Sequence, residues 1–580
     1  CMTKLKNPII WFVSILMLIA FYQASTGDRI ESTIRSDGRG YYAYLPAIFI
    51  YKDATYQKSM EAEKLRSPLI SDQLYVYKDD NGNYYNKYFP GVAIMQLPFF
   101  GLACLVSWIS GYPIDGYNSI FWFFFFVGGL FYGITGIFLF TRFLRLMFPN
   151  HKALIEWIIP VFYCSTPLLF YSFDTLSFSH LYSFFLFGLF ALAVIQLREE
   201  RTMKRLFLLG VIVGLIVLVR PTNGLVIFMI PFILGDLQTT KKFIEGLLQK
   251  RAAGFFVAFL GFLLLISVQF FIWKWQSGEW IKWSYNGEGF NFLQPQLFSG
   301  FFSLRIGLFV HVPMLILAFL GLISIGKKEP FQVFTWLVYF GLTSWVILSW
   351  WCWDYESNFG PRPYTEHLFF LLIPVIHFVL NSPKWITLVS IGMVTLNGSI
   401  RYLESRTGFM GDQRFTKENF ISSLQFWESN NHGRWNFTRS ITPFGRLIDQ
   451  DLLLNEPEIK PITPENVYSF SVEKKLDKAR TDERLYYRVK LDKKQNESRF
   501  ENVFLVIDAY TGDEEKRYYK AVELMNDRFE GTDKWAHLEF EGQLYDNFQE
   551  YDFVRIYIWN LGGKTFYIQN MEIVFETYKK

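Results

Sequence analysis

Apolar runs separated by short polar joints fill residues 1–400, and from residue 466 the pattern changes to short stretches in which apolar and polar positions alternate. About 20 successive apolar residues form a helix long enough to cross a bilayer. By that measure spans lie at about 8–24, 118–141, 154–171, 176–197, 252–272, 306–325 and 331–350. A hairpin turning at Arg220-Pro221-Thr222-Asn223 adds two more, and the shorter stretches 368–381 and 384–399 cross or dip in as a pair. The expected total is about eleven spans.

Residues 89–110 are also long enough to span, but a crossing there would place the basic joint 142–152 outside. Lysine and arginine gather in the cytoplasmic joints of membrane proteins, so 89–110 reads as a re-entrant or interfacial helix. With that choice Lys4, Lys6 and the basic joints 142–152, 198–205, 241–251 and 326–328 all fall inside. The outer side receives a long loop over 25–88, the turns 172–175 and 220–223, the loops 273–304 and 350–367, and the tail.

In the tail, alternation at 486–489, 503–507, 535–540, 554–557, 566–568 and 573–575 between Gly, Asp and Asn turns predicts the strands of a β-sandwich. Residues 401–465 carry aromatic and basic residues without a period and read as an extracytoplasmic linker or cap. The expected fold class is an α-helical polytopic membrane domain over 1–400 followed by an extracytoplasmic all-β sandwich domain over 466–580.

Composition agrees with this division. The 580 residues are 51% hydrophobic and 20% aromatic, a load that fits a polytopic membrane protein. The net charge of +4 gives no reason to expect a nucleic-acid partner. The cysteines Cys1, Cys104, Cys164 and Cys352 have no metal-ligand spacing and support neither a disulfide framework nor a zinc site. Cys1 stands ahead of a basic flank that stays cytoplasmic, which argues against an acylated lipoprotein cysteine and for a start-site irregularity. The first span has no convincing cleavage pattern and reads as a retained anchor.

Candidate chemistry gathers on the outer side. Ser36-Asp37-Gly38-Arg39-Gly40-Tyr41-Tyr42 follows the first span. An ionisable group at a membrane boundary is costly to hold and reads as functional, although Asp-Gly is also a common turn dipeptide. Asp174 with His180 close by, Arg220 with Asn223, and Glu288 lie on the same side. So do Arg305, Asp354, Glu356, Arg362, Glu366 and His367. Arg220, Arg305 and Arg362 sit at outer span ends, against the usual bias. A guanidinium binds phosphate through two parallel hydrogen bonds and keeps its charge at any relevant pH, so these three and Asn223 are candidates for holding an anion. Structural ion pairs with Asp or Glu are the alternative.

A phosphate at that depth suggests a lipid phosphate, and a carboxylate opposite it is a candidate general base. The chemistry allowed is displacement at a sugar's anomeric carbon: an acceptor hydroxyl, deprotonated by Asp37, attacks while the lipid phosphate leaves, as in inverting glycosyl transfer. Arg39, Tyr41, Tyr42, His180, Glu288, Trp351, Asp354, Glu356 and His367 are candidates for the surrounding pocket. Trp351, in Trp350-Trp351-Cys352-Trp353, belongs either to an interfacial aromatic belt or to a sugar-binding wall. His180 and His367 bind metal, move protons or simply hydrogen-bond within the structure. His377 reads as packing, and Asp79-Asp80-Asn81-Gly82 as a turn.

These residues resemble the GT-C class of membrane glycosyltransferases, the group containing protein O-mannosyltransferases and the lipid A aminoarabinose transferase. The motif at 36–42 is similar to the acidic motif of the first outer loop, whose aspartate is catalytic in that class. Tyr88-Phe89-Pro90-Gly91 sits where such enzymes often have a proline-led interfacial helix, and 300–313 and 357–364 look like recurrent segments of bacterial members. The resemblance covers roughly 1–400 at the level of architecture. It implies a polyprenyl-phosphate sugar donor and a protein, lipid or glycan acceptor at the outer face of a bacterial inner membrane, with the tail in the periplasm. Many members have Asp-Glu where this chain has Asp-Gly, so a second carboxylate comes from elsewhere, and Asp174 is the position the class suggests. Some members use a divalent metal, which leaves Mg or Mn open. The tail resembles carbohydrate-binding-like sandwiches attached to some such enzymes.

A transporter or lipid-linked sugar flippase is the competing expectation. It predicts mid-membrane polar groups and paired broken helices related by internal symmetry, and no such repeat is visible. A non-catalytic receptor or scaffold is a third, and it leaves Asp37 and the outer arginines without a task.

Overall fold

The computed structural model describes residues 7–25, 34, 36–66, 75–79, 81–173, 175–285, 287–303, 306–353, 355, 360, 362–405, 446–476, 483–495, 503–513, 517–524, 535–544, 551–560 and 565–579. Internal contacts divide the chain into two units, Cys1–Tyr402 and Leu403–Lys580.

The first unit is helical around one large apolar core. Five described helices are long and apolar enough to cross a membrane: Gly91–Ser110, Ser119–Met147, His180–Glu199, Ala252–Ser277 and Pro330–Leu348. Shorter apolar helical stretches cover Pro8–Tyr22, Pro221–Leu234, Met314–Gly326 and Leu368–Asn381. Prolines account for several of the short ones, because proline lacks the N–H of the helix ladder and restricts the residue before it. The helix Lys152–Cys164 stops before Pro167 and resumes as Leu168–Phe173. Leu308–His311 stops before Pro313, and Met314–Gly326 starts after it.

The basic stretch expected as a joint at 241–251 lies inside the helix Leu237–Ser277. Apart from Phe243, Ile244 and Gly246 it is made of Lys, Glu, Leu, Gln and Arg, which are good helix formers, so its polarity does not end the helix. Asp236 caps the start, its carboxylate accepting from Thr239 N at 2.7 Å and Thr239 Oγ1 at 2.7 Å. Ala252, at φ 60, begins the apolar portion.

Gly91–Ser110 is long enough to cross, yet the chain on both sides of it meets the same polar helix, Gln57–Arg66. On one side Tyr88 bonds Asp37 at 2.8 Å, two residues from Arg39, which pairs with Glu63 of that helix at 2.9 Å. On the other side the Tyr117 hydroxyl lies 2.6 Å from Ser59 Oγ of the same helix. Tyr42 and Tyr51 hold the connection as well, donating to the carbonyls of Gly116 at 2.5 Å and Asp115 at 2.9 Å. The chain before and after this apolar helix is thus tied to neighbouring buried polar groups, Arg39, Glu63 and Ser59.

Val76–Lys78 (β1) and Tyr84–Asn86 (β2) form an antiparallel hairpin. Its turn is the one expected from Asp79, Asn81 and Gly82. The Asp79 carbonyl accepts from Gly82 N at 2.9 Å, its carboxylate accepts from Asn83 N at 2.8 Å, and Gly82 has φ 87, which suits glycine.

The second unit is built of antiparallel sheets. Tyr468–Lys475 (β5), Phe553–Asn560 (β10), Val503–Tyr510 (β7) and Arg517–Glu523 (β8) lie in that order in one. Arg446–Glu456 (β3), Phe566–Lys579 (β11), Glu483–Gln495 (β6) and Trp535–Leu544 (β9) form the other, with Lys460–Ile462 (β4) also on β11. Alternate residues of both sheets, such as Val489, Phe540 and Ile573 with Leu505, Ile507 and Ile556, share one core. The stretches 566–568 and 573–575 belong to a single strand, interrupted by a register shift between Gln569 and Glu572 with Asn570 at φ 51. The first strand begins at Arg446, ahead of residue 466. Its apolar residues Leu447, Ile448 and Leu452 are exposed on a sheet edge, which removed the alternation that marks the inner strands.

Candidate active site

The helix Asp37–Leu45 sorts the glycine-rich motif onto two faces. Residues three, four and seven apart share a side of a helix, so Asp37, Tyr41 and Tyr44 look one way and Arg39 and Tyr42 another. The first set meets Tyr88. The Tyr88 hydroxyl donates to Asp37 Oδ1 at 2.8 Å, the Tyr41 ring lies 4.8 Å from the Tyr88 ring, and Tyr44 donates to the Tyr88 carbonyl at 2.5 Å. The second set is structural. Arg39 forms two bonds to the buried Glu63 carboxylate, at 2.9 and 3.1 Å, and Glu63 also accepts from Tyr75 at 3.0 Å. Tyr42 packs edge-on against Tyr117 and Phe125.

The glycines allow this packing. A Cβ on Gly38 would lie 2.1 Å from Ser177 Oγ, and one on Gly40 would lie 2.2 Å from the Tyr88 ring. Ser36 enters the helix at φ 48, a left-handed conformation that costs an L residue about 1–3 kcal/mol. Backbone strain of that size beside a carboxylate is common at functional sites.

Arg362 completes the contacts of Asp37. Its Nη2 donates to Asp37 Oδ2 at 2.9 Å, its guanidinium lies 5.0 Å from the Phe178 ring centre, and its buried Nε has no hydrogen-bond partner among the described residues. Arg220 stands where Pro221 ends the helix Met203–Val219, with its guanidinium 5.6 Å from the Tyr355 ring centre. Among the described residues Arg220 makes no ion pair. Burial pushes the Asp37 carboxyl up, but Arg362, the Tyr88 hydroxyl and Arg220 outweigh it and hold the carboxyl below its ordinary value. Asp37 is therefore ionised at neutral pH.

A second polar cluster lies wholly in the interior. Glu366 is 0% exposed. Its Oε2 lies 2.7 Å from His180 Nδ1 and its Oε1 accepts from Asn223 Nδ2 at 2.8 Å. Asn223 Nδ2 also donates to Ser183 Oγ at 2.9 Å. That leaves Asn223 Oδ1 to accept from His367 Nε2 at 3.2 Å, and His367 Nδ1 to accept from the Tyr339 hydroxyl at 2.5 Å. Facing an amide oxygen that can only accept, His367 Nε2 carries a proton. The cluster joins the helices His180–Glu199 and Pro330–Leu348 to the segment after Arg362.

The remaining candidates divide. Glu288 pairs with Lys87, one residue from Tyr88. The Trp351 backbone N donates to the Gly289 carbonyl at 2.9 Å while its ring is exposed. His377 packs against Phe148 at 5.3 Å between ring centres. Asp174, Arg305, Asp354 and Glu356 lie outside the described residues.

Among the described residues no group of three His, Cys, Asp or Glu side chains is disposed to hold a metal ion. Asp37 is surrounded by a guanidinium and a phenol that both donate to it, a set that suits a further anion better than a divalent cation. No metal-dependent step is derived from it.

Glu366 stood among the outer polar groups of the sequence without a role, and Tyr88, Tyr339 and Glu63 were not singled out. Tyr88 had the one usable signal, its place directly before Phe89-Pro90-Gly91. Tyr339 is a lone tyrosine inside an apolar helix, which sequence does not distinguish from packing.

No protein-family model matches the chain, and no curated protein matches it.

Proposed function

We propose that this chain is a polytopic membrane glycosyltransferase of GT-C type. In this reading it transfers a sugar from a polyprenyl-phosphate donor to an acceptor hydroxyl at the outer face of a bacterial inner membrane. The catalytic domain would have about eleven crossings, and the tail, as a β-sandwich in the periplasm, would bind the acceptor. The observation that carries the reading is Asp37, an ionised carboxylate at a helix start, held by Arg362 and Tyr88.

In the proposed reaction the acceptor O–H gives its proton to Asp37, and the oxygen forms a bond to the anomeric carbon. The bond from that carbon to the phosphate oxygen breaks, and the polyprenyl phosphate leaves with the electron pair. Arg362, whose Nε has no hydrogen-bond partner among the described residues, and Arg220, which makes no ion pair among them, are the groups proposed to take up the leaving charge. Arg305 and Asn223 remain proposals from the resemblance; Asn223 is already bonded to Glu366 and His367.

The test is sugar transfer or release by protein in nanodiscs, with labelled polyprenyl-phosphate sugars, for wild type and Asp37→Asn. Turnover by wild type alone supports the reading, and turnover by neither overturns it. The flippase reading has one observation in its favour, the fully buried cluster of Glu366, His180, Asn223 and His367, because ionisable groups inside a helical membrane unit often mark transport paths. Movement of labelled lipid between leaflets of proteoliposomes without chemistry would support it instead.

A further inference from the structure

The segment from Gly278 to Ser303 is short of charge on its outer surface and unusually apolar there. Leu293 is 94% exposed, Phe298 80%, and Phe292 and Phe302 are exposed as well. A water-facing loop rarely presents so many large apolar side chains together. These residues do not hang loose. Trp345 of the helix Pro330–Leu348 donates its indole N–H to the Phe292 carbonyl at 3.1 Å and packs at a tilt against the Phe292 ring, 5.1 Å between centres. Phe301 stacks on Phe340 of the same helix at 5.6 Å.

Glu279, Asn291, Gln294 and Gln296 are exposed among these apolar residues, while other polar groups of the segment are bonded to the chain before Gly91. Lys282 pairs with Asp79 at 2.9 Å, Ser284 donates to the Lys87 carbonyl at 2.9 Å, and Glu288 pairs with Lys87. Tyr285 meets Tyr88, the residue bonded to Asp37, at 6.4 Å between ring centres. One side of the segment is thus bonded to the candidate site. The other continues the exposed apolar face of a helix long enough to cross a membrane, on which Phe334 and Leu337 are also exposed.

We infer that residues 287–303 lie in the lipid of the leaflet nearest Asp37 and form the lipid-facing wall of that site. Continuity with the exposed face of Pro330–Leu348 selects acyl chains as the occupant, and Trp280 and Trp283, exposed at the start of the segment, suit the headgroup level. The wall gives a lipid-borne substrate a route to Asp37 from the side, within the leaflet. The inference rests only on the chain crossing a membrane and not on glycosyl transfer.

The experiment places p-benzoylphenylalanine singly at Leu293 and Phe298 of the full chain in phospholipid nanodiscs, with Phe334 as the lipid-facing control and Asn81, exposed at the tip of the polar hairpin, as the water-facing control. After irradiation, the expected result is a mass shift of one phospholipid at 293, 298 and 334 and none at 81. Lipid adducts at 334 alone overturn the inference. So do cross-links from 293 and 298 to a second copy or to the chain's own residues 403–580, which would make this face a protein contact. Absence of lipid adducts at all three positions overturns the membrane reading together with it. Transfer activity is not needed for any arm, so a failure of the proposed chemistry stays separate.

Discussion

Two ion pairs leave the same short motif and are built differently. Arg39 and Glu63 meet through two bonds, both side chains are about 95% buried, and Tyr75 occupies a further position on the carboxylate. Asp37 and Arg362 meet through one guanidinium nitrogen at 2.9 Å, their side chains are 20% and 17% exposed, and the arginine Nε has no hydrogen-bond partner among the described residues. A closed, fully bonded pair has nothing to offer a ligand, and breaking it leaves a buried charge alone. An open pair with spare donors can exchange partners when an anion arrives. Alternation along one helix turn therefore separates an arginine in a closed pair from a carboxylate in an open one two positions away.

Removing Asp37 tests the open pair. Asp37→Asn is expected to lower transfer about 10²–10⁴-fold, the usual contribution of a general base, with a smaller loss of thermal stability than Arg39→Ala. Activity above a few per cent of wild type would remove Asp37 from that role. The closed pair should respond in the opposite way: Arg39→Ala is expected to destabilise the protein by about 3–5 kcal/mol, because Glu63 is left buried and uncompensated. Denaturation midpoints measure this, and an Arg39→Ala protein of wild-type stability would break the contrast.

Arg362→Ala is expected to cost about 1.5–3 kcal/mol of transition-state stabilisation, a loss of about 10–150-fold in kcat/KM. Unchanged kcat and KM would assign Arg362 to structure. Gly38→Ala pushes a methyl against Ser177 and is expected to cost about 1–3 kcal/mol of stability, read from the same midpoints.

The smallest effect concerns pH. Asp37 has a folded value below its ordinary one, so the stability from its ionised form is present above the ordinary carboxylate range and is lost as pH falls through the lowered value. Without Arg362 the carboxyl loses its main stabilising charge and titrates higher. The acid limb of the transfer rate in Arg362→Ala should therefore move to higher pH than in wild type, and an unmoved limb would separate Arg362 from Asp37 in function.

Hydrophobic pattern was enough to read helices over most of 1–400 and strands beyond, because burial of apolar side chains imposes its period on the sequence whatever the partners are. Several expected crossings are shorter helices where proline interrupts the ladder, and the basic stretch at 241–251 is helical, since charge by itself does not end a helix. The polar candidates fared according to range. Asp37 was readable from its local setting of glycines and tyrosines. Its partners Tyr88 and Arg362, and the assembly of Glu366 with His180, Asn223 and His367, join positions far apart in the chain, and nothing in local composition encodes such pairings.

Arg39 makes the same point from the other side. By residue type and position it belongs with Asp37, and local sequence offers no means of parting them. Glu63 parts them, because a buried guanidinium needs a carboxylate within reach, and only the packing of Gln57–Arg66 against the motif supplies one. Composition and periodicity are properties of segments and so were fixed before folding. Which arginine is tied down and which remains open is a property of contacts, and contacts exist only once the helices have packed.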